Sequence, residues 1–363
     1  MGGVAAAAAL LVVAGCGSPP DGGGGGASRA PAPAASSAAP GTVRVAGVLT
    51  RDLRSPWGLV ELPGGDLLVS SRDERTITRV DASTGRKTPL GEVPGVVPGG
   101  EGGLLGLALR DGWVYAYLTS ATDNRIVRMR YGGGAGDRLG APEPVLTGIP
   151  KGVIHNGGRI AFGPDGMLYA GTGETGRREL AQDRGSLGGK ILRLTPEGRP
   201  APGNPFPGSP VYSYGHRNVQ GLAWDPAGRL WASEFGQDTW DELNLIEPGR
   251  NYGWPVVEGR AGRAGFTDPV AEWRPAEASP SGIAFARGAV WMAALRGERL
   301  WRIPLAGAER SGEPEAFLTG EYGRLRTVLA TAGGTRLWLV TSETDTRGTP
   351  GPGDDKILRL EVG

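Results

Sequence analysis

The sequence predicts an all-β fold, a six-bladed β-propeller, on three observations. One phrase recurs six times at spacings of roughly 45 to 60 residues, a period that suits propeller blades. Each copy alternates apolar and polar residues around a turn signal such as "PDG" or "PAG", the pattern of β-hairpins. The chain also holds 65 Gly, 30 Pro and ten Trp, which favours many short strands and tight turns over long helices.

The copies follow in order. The first is "WGLVELPGGDLLVSSRD" from Trp57, and the second is "GLLGLALRDGWVYAYLTS" from Gly103. The third, "RIAFGPDGMLYAGTGE" from Arg159, continues after a long polar loop as "GGKILRLTPEG". The fourth is "GLAWDPAGRLWASEF" from Gly221 and the fifth "GIAFARGAVWMAAL" from Gly282. The sixth is "RTVLATAGGTRLWLVTSETD" from Arg326, completed by "DKILRLEV". Units of three to four strands at this period stack radially, and ring closure leaves only short edges. A pair of β-sandwiches competes with this reading, but six separate hairpin phrases argue against it.

The propeller is expected over residues 43–363, preceded by a signal segment at 1–16 and a linker at 17–42. The segment "AAAAALLVVAGC" ends in small residues before Cys16 and resembles the lipobox of bacterial lipoproteins, although "MGGV" lacks the usual basic residue. The expectation is export, with a lipid anchor on Cys16 tying the protein to the membrane. Cys16 is the sole cysteine, so no intrachain disulfide forms. The linker, "GSPPDGGGGGASRAPAPAASSAAPGT", is Gly, Ser, Ala and Pro with almost nothing to bury. A formal net charge of +1 gives no electrostatic footprint for nucleic acid.

Five stretches carry chemistry. "HNGGRIAFGPDG" holds His155, one of only two histidines, on a loop leading into a strand. Its reference pKa near 6.5 suits a general base, and a purely structural histidine is the plainer alternative. "YGHRNVQG" holds Arg217 and Asn218, a donor pair able to clamp an anionic planar ligand or to pin a loop. "SEFGQDTWDELNLIEPGRNYGWP" joins acidic side chains to a Gly-containing turn, suited either to calcium or to solvent. In "GEYGRLRTV", Arg324 and Arg326 share one strand face and repel unless an anion or an acidic partner lies between them. In "GGEGGLLGLAL", Glu101 sits where glycines let backbone approach a ligand, without the strand-to-helix context of a phosphate loop.

Taken together, "EGGLLGLAL", "HNGGRIAFGPDGMLY", "GHRNVQGLAWDP" and "DELNLIEPGRNYGWP" resemble the soluble glucose/sorbosone dehydrogenases, aldose sugar dehydrogenases that use pyrroloquinoline quinone (PQQ). The resemblance runs in order from about Val43 to Val362. It implies oxidation of the C1 hydroxyl of aldoses to lactones, with PQQ and Ca2+ as cofactors and electrons passed to an external acceptor. His155 then resembles the general base. Arg217 and Asn218 resemble the pair on the quinone oxygens, Arg217 also stabilising the negative charge that develops there. The carbonyls of Gly236 and Gln237 match those holding the cofactor's calcium, and Glu242 and Tyr252 match a second, structural calcium site. Arg324 and Arg326 match paired arginines over the cofactor carboxylates.

Three positions depart from the family pattern. Ile154 stands where some members carry an Asp that orients the histidine, so an orienter must come from elsewhere. Glu101 stands where members often have Gln, an anion that weakens cofactor binding unless it is protonated or turned away. Arg296 is the nearest match to a cofactor-binding lysine. Two other functions fit a propeller: a calcium-dependent lactonase, which needs an acidic cluster drawn from several blades, and a non-catalytic cell-surface binding propeller.

Overall fold

The computed structural model describes residues 1–2, 41–132 and 138–363. Cys16, the rest of the signal segment from residue 3 and nearly all of the linker lie outside the described residues. The body is six antiparallel sheets built in chain order. Blades 1 to 5 occupy residues 56–92, 104–149, 160–214, 219–273 and 280–317. Blade 6 takes Leu325–Ala330, Arg336–Thr341 and Ile357–Val362, and its outer strand is Val43–Thr50 from the start of the body. Val43 pairs with Val362 and Thr50 with Ile357, so the two ends of the chain close the ring by backbone hydrogen bonds. Among the described residues no helix is long and apolar enough to cross a membrane.

The inner strands are Pro56–Glu61, Leu104–Arg110, Ile160–Phe162, Val219–Trp224, Pro280–Ala286 and Leu325–Ala330. Each contacts the next around the ring, and the last contacts the first. Glycine permits this approach at Gly106, where an added Cβ would lie 2.2 Å from the Gly158 carbonyl oxygen, and at Gly221, 2.4 Å from that of Ser281. Arg159 and Thr327 take the equivalent positions in blades 3 and 6 and bond across the channel, Arg159 Nη2 donating to Thr327 Oγ1 at 3.1 Å.

Period-two alternation produces something different from the half-buried hairpins that the sequence suggests. Leu67–Ser71, Leu168–Gly171 and Ala289–Ala294 are buried on both faces. The reason is radial stacking. Leu67 and Val69 pack against Trp338 and Val340 of blade 6, while Leu68 packs against Leu104 and Leu107 of blade 2. Ile283 and Met292 likewise face blade 4, while Ala284 and Trp291 face blade 6. The core is thus six wedges between neighbouring blades. Only outer strands such as Lys87–Glu92 expose one face.

Candidate active site

A cleft of about 550 Å³ opens at the channel mouth formed by the N-terminal ends of the inner strands. His155, Arg217, Asn218, Glu101, Arg296, Arg324, Arg326, Gly236 and Gln237 all line it. Loops far apart in sequence therefore converge on one chamber.

His155 lies on the loop entering blade 3, at a φ of 54° in the left-handed region that a side chain rarely adopts. The loop is pinned on both sides of it. Asn156 Oδ1 accepts from Gly152 N and Asn124 Nδ2, at 3.0 and 2.9 Å, and the Asn156 carbonyl accepts from the Tyr117 hydroxyl at 2.9 Å. Gly157 donates to Asn218 Oδ1 at 2.9 Å and packs where a Cβ would meet Thr172 Cα at 2.5 Å. These surroundings hold the backbone of His155 in its strained conformation.

The missing neighbouring carboxylate is replaced from another loop. Glu174 Oε1 lies 2.5 Å from His155 Nδ1, and the Glu174 side chain is 1% exposed. A carboxylate there accepts a hydrogen bond from Nδ1–H, which leaves the lone pair on Nε2 of a ring that lines the cleft. Glu101 is likewise engaged. Its Oε2 accepts the His155 N–H at 2.9 Å, and its Oε1 accepts Arg347 Nη2 at 2.6 Å. The negative charge that the sequence placed loose in the cleft is paired on both oxygens.

Arg217 donates its N–H to Glu234 Oε2 at 3.1 Å and Nη1 to the Phe235 carbonyl at 3.4 Å, while its buried Nε has no partner. Burial pushes its pKa down from the usual guanidinium value. Asn218 spends its oxygen on Gly157, which leaves its amide nitrogen for the cleft. Arg296 is exposed at the rim.

The paired arginines find an acidic partner, buried rather than on the surface. Asp345 Oδ2 accepts from Arg324 Nη2 at 3.0 Å, Arg326 Nη2 at 2.9 Å and Ser342 Oγ at 3.0 Å. Burial pushes the Asp345 carboxyl up, but Arg326 and Arg324 more than offset this and hold it well below the usual carboxylate range. The two arginines are not equivalent. Arg326 also donates to Gln220 Oε1 at 2.9 Å and stacks over Trp57, whereas the buried Nε of Arg324 is unpaired. Burial pushes Arg326 down to about 10.

Glu242 and Tyr252 stand apart from the cleft. Glu242 accepts from Gly259 N at 2.7 Å and Asn244 Nδ2 at 3.0 Å, and burial followed by the charge of Glu234 pushes its carboxyl well up. The Tyr252 hydroxyl donates to the Leu245 carbonyl at 2.6 Å and accepts from Glu247 N at 2.9 Å. Its ring stacks on the other histidine, His216, which is fully buried, bonded to Ser213 at 2.8 Å and pushed by burial down to about 3. Among the described residues no group of three or more His, Cys, Asp or Glu side chains is placed to hold a metal. The lactonase reading needs such a group.

Glu174, Asp345 and Arg347 were not singled out from sequence. A signal for one of them exists in the repeat: Glu174 and Asp73 stand at the same distance past the leucine that opens the second strand in blades 3 and 1.

The glucose/sorbosone dehydrogenase profile matches residues 53–350. A PQQ-bound aldose sugar dehydrogenase from Streptomyces coelicolor is 70% identical, with a TM-score of 0.88 over 90% of this chain and all of that one. A Thermus thermophilus structure, described as a putative oxidoreductase (glucose dehydrogenase), is 47% identical, with a TM-score of 0.81 over 88% of this chain and all of that one. The Escherichia coli aldose sugar dehydrogenase YliI is 34% identical over 65% of this chain and 68% of its own length. With the profile spanning most of the body, the chain belongs to the glucose/sorbosone dehydrogenase family.

Proposed function

We propose that this protein is an aldose dehydrogenase that holds PQQ and calcium in the charged channel mouth, oxidises the C1 hydroxyl of aldoses to lactones and passes electrons to an external acceptor. The observation that carries the proposal is the His155–Glu174 pair facing a cleft rimmed by unpaired arginine donors. A polycarboxylate quinone suits this donor set, because the buried Nε atoms of Arg217 and Arg324 lack partners and cost stability until an anion meets them. The carbonyls of Gly236 and Gln237 are oxygen donors of the kind calcium takes.

Arg324 would hold a cofactor carboxylate through its free Nε, with Arg326 fixed beneath it by Gln220 and Asp345. Arg296 would close the rim. Arg217 and the Asn218 amide would sit on the quinone oxygens, where a fixed guanidinium stabilises developing negative charge. When bound, PQQ supplies the two-electron acceptor for hydride leaving C1, with calcium as its Lewis acid. His155 Nε2 takes the proton of the anomeric hydroxyl, and Glu174 stabilises the imidazolium that results. Glu242 and Tyr252 would serve a second calcium. Export with lipidation at Cys16 belongs to the same proposal, and a Cys16→Ser variant should shift from the membrane to the soluble fraction.

The test is reconstitution. PQQ and calcium added to apo-protein should give a holo-spectrum and aldose-dependent dye reduction; the absence of both overturns the proposal.

A further inference from the structure

The loop that carries Gly236 and Gln237 is built around a carboxylate that lies outside the lining of the cleft. Glu258 Oε1 accepts four consecutive backbone N–H groups, from Gln237 at 2.7 Å, Asp238 at 3.2 Å, Thr239 at 3.0 Å and Trp240 at 3.1 Å. The preceding N–H, of Gly236, goes to Asp241 Oδ1 at 2.9 Å. Successive N–H groups converging on one anion form a nest, here filled by the protein's own side chain. The loop fits tightly: a Cβ on Gly236 would lie 1.8 Å from the Trp240 carbonyl oxygen and 2.7 Å from Glu258 Oε1.

Peptide planarity fixes what this does on the other side. In a trans peptide the C=O of one residue points opposite to the N–H of the next. The N–H of Gln237 points at Glu258, so the Gly236 carbonyl points away from it. The N–H of Asp238 does the same, so the Gln237 carbonyl also points away. Both residues line the cleft, and neither carbonyl accepts a hydrogen bond from a described residue. One carboxylate oxygen thus sets the direction of two carbonyl dipoles.

We infer that Glu258 is the positioning residue for the cation site: it fixes the Gly236 and Gln237 carbonyls toward the cleft before any cation arrives. The inference rests on the proposed calcium-assisted PQQ site and extends it to a residue outside the cleft. Partners that orient metal ligands are worth about 10–100-fold in metal affinity. Glu258→Gln keeps the size of the side chain and an acceptor oxygen but removes the charge that gathers four N–H groups.

The experiment follows PQQ binding to apo-protein by absorbance while calcium is titrated, in wild type and in Glu258→Gln. The calcium midpoint should rise by about 10–100-fold in the variant. An unchanged midpoint, with wild type binding normally, overturns the role of Glu258 alone. Wild type that binds no PQQ at any calcium level overturns the site reading together with it. Hydrogen exchange on apo wild type gives a check that needs no variant. The amides of residues 237–240 should be protected before calcium is added, and exchange there at the rate of open loops overturns the inference.

Discussion

The two mouths of the channel are made by the two ends of the same six strands, yet they differ in almost every property. The mouth at the other end is lined by Leu59, Leu107, Ile160, Leu222, Ile283 and Val328, aliphatic residues at matching positions of the repeat. At the N-terminal ends the matching positions hold Trp57, Leu105, Gly158, Gln220, Ser281 and Arg326, no two of them alike. One end keeps the repeat and the other breaks it. Radial packing needs similar side chains in every wedge, whereas a ligand without six-fold symmetry needs a different group from each blade. Divergence from the repeat therefore marks the site.

The sharpest break of the comparison sets one residue from each mouth side by side. His155→Ala in reconstituted protein should lower turnover by about 10²–10⁴-fold with cofactor binding largely intact. Leu222→Ala at the other mouth should cost stability, about 2–5 kcal/mol, and leave turnover per folded molecule unchanged. Turnover insensitive to His155 removes it from the mechanism, and turnover sensitive to Leu222 would erase the division between the mouths.

Asp345 tests whether the charged mouth is balanced by its own acid. Asp345→Asn leaves the buried guanidinium of Arg326 and the half-buried one of Arg324 without their shared anion and should destabilise the apo-protein by about 3–5 kcal/mol. Added PQQ should restore part of the loss, seen as a larger ligand-induced rise in Tm than in wild type. An equal rise in both would separate Asp345 from the cofactor site.

The smallest expected effect belongs to Glu174. Glu174→Gln retains the imidazole but not the charge that fixes its tautomer and stabilises its protonated form. Turnover should fall by about 10–10²-fold, because the ring loses the partner that orients it. Turnover that matches wild type would assign Glu174 a purely structural part.

The fold was legible because a propeller repeats: six hairpin phrases at one period leave few other architectures. Burial of the strands on both faces was not, since alternation shows two faces without showing that each meets another blade. His155, Arg217, Asn218 and the double arginine stood out as polar groups beside Gly-rich turns. Glu174 and Asp345 did not, because their roles arise from contacts 19 residues away in sequence, across a loop whose path the residues do not encode. The bond from Arg347 to Glu101 spans 246 residues and exists only once the ring has closed. Glu258 was hidden for a further reason: it acts on backbone N–H groups, which carry no residue signature.

The central claim is that the irregular mouth, and not the regular one, takes the cofactor. A crystal structure of the protein reconstituted with PQQ and calcium tests it most directly. The account predicts the quinone between Arg217 and Arg324, its calcium on the Gly236 and Gln237 carbonyls, and His155 Nε2 facing the ring. A quinone at the Leu59–Leu222 mouth, or one held without Arg217 and Arg324, would contradict it.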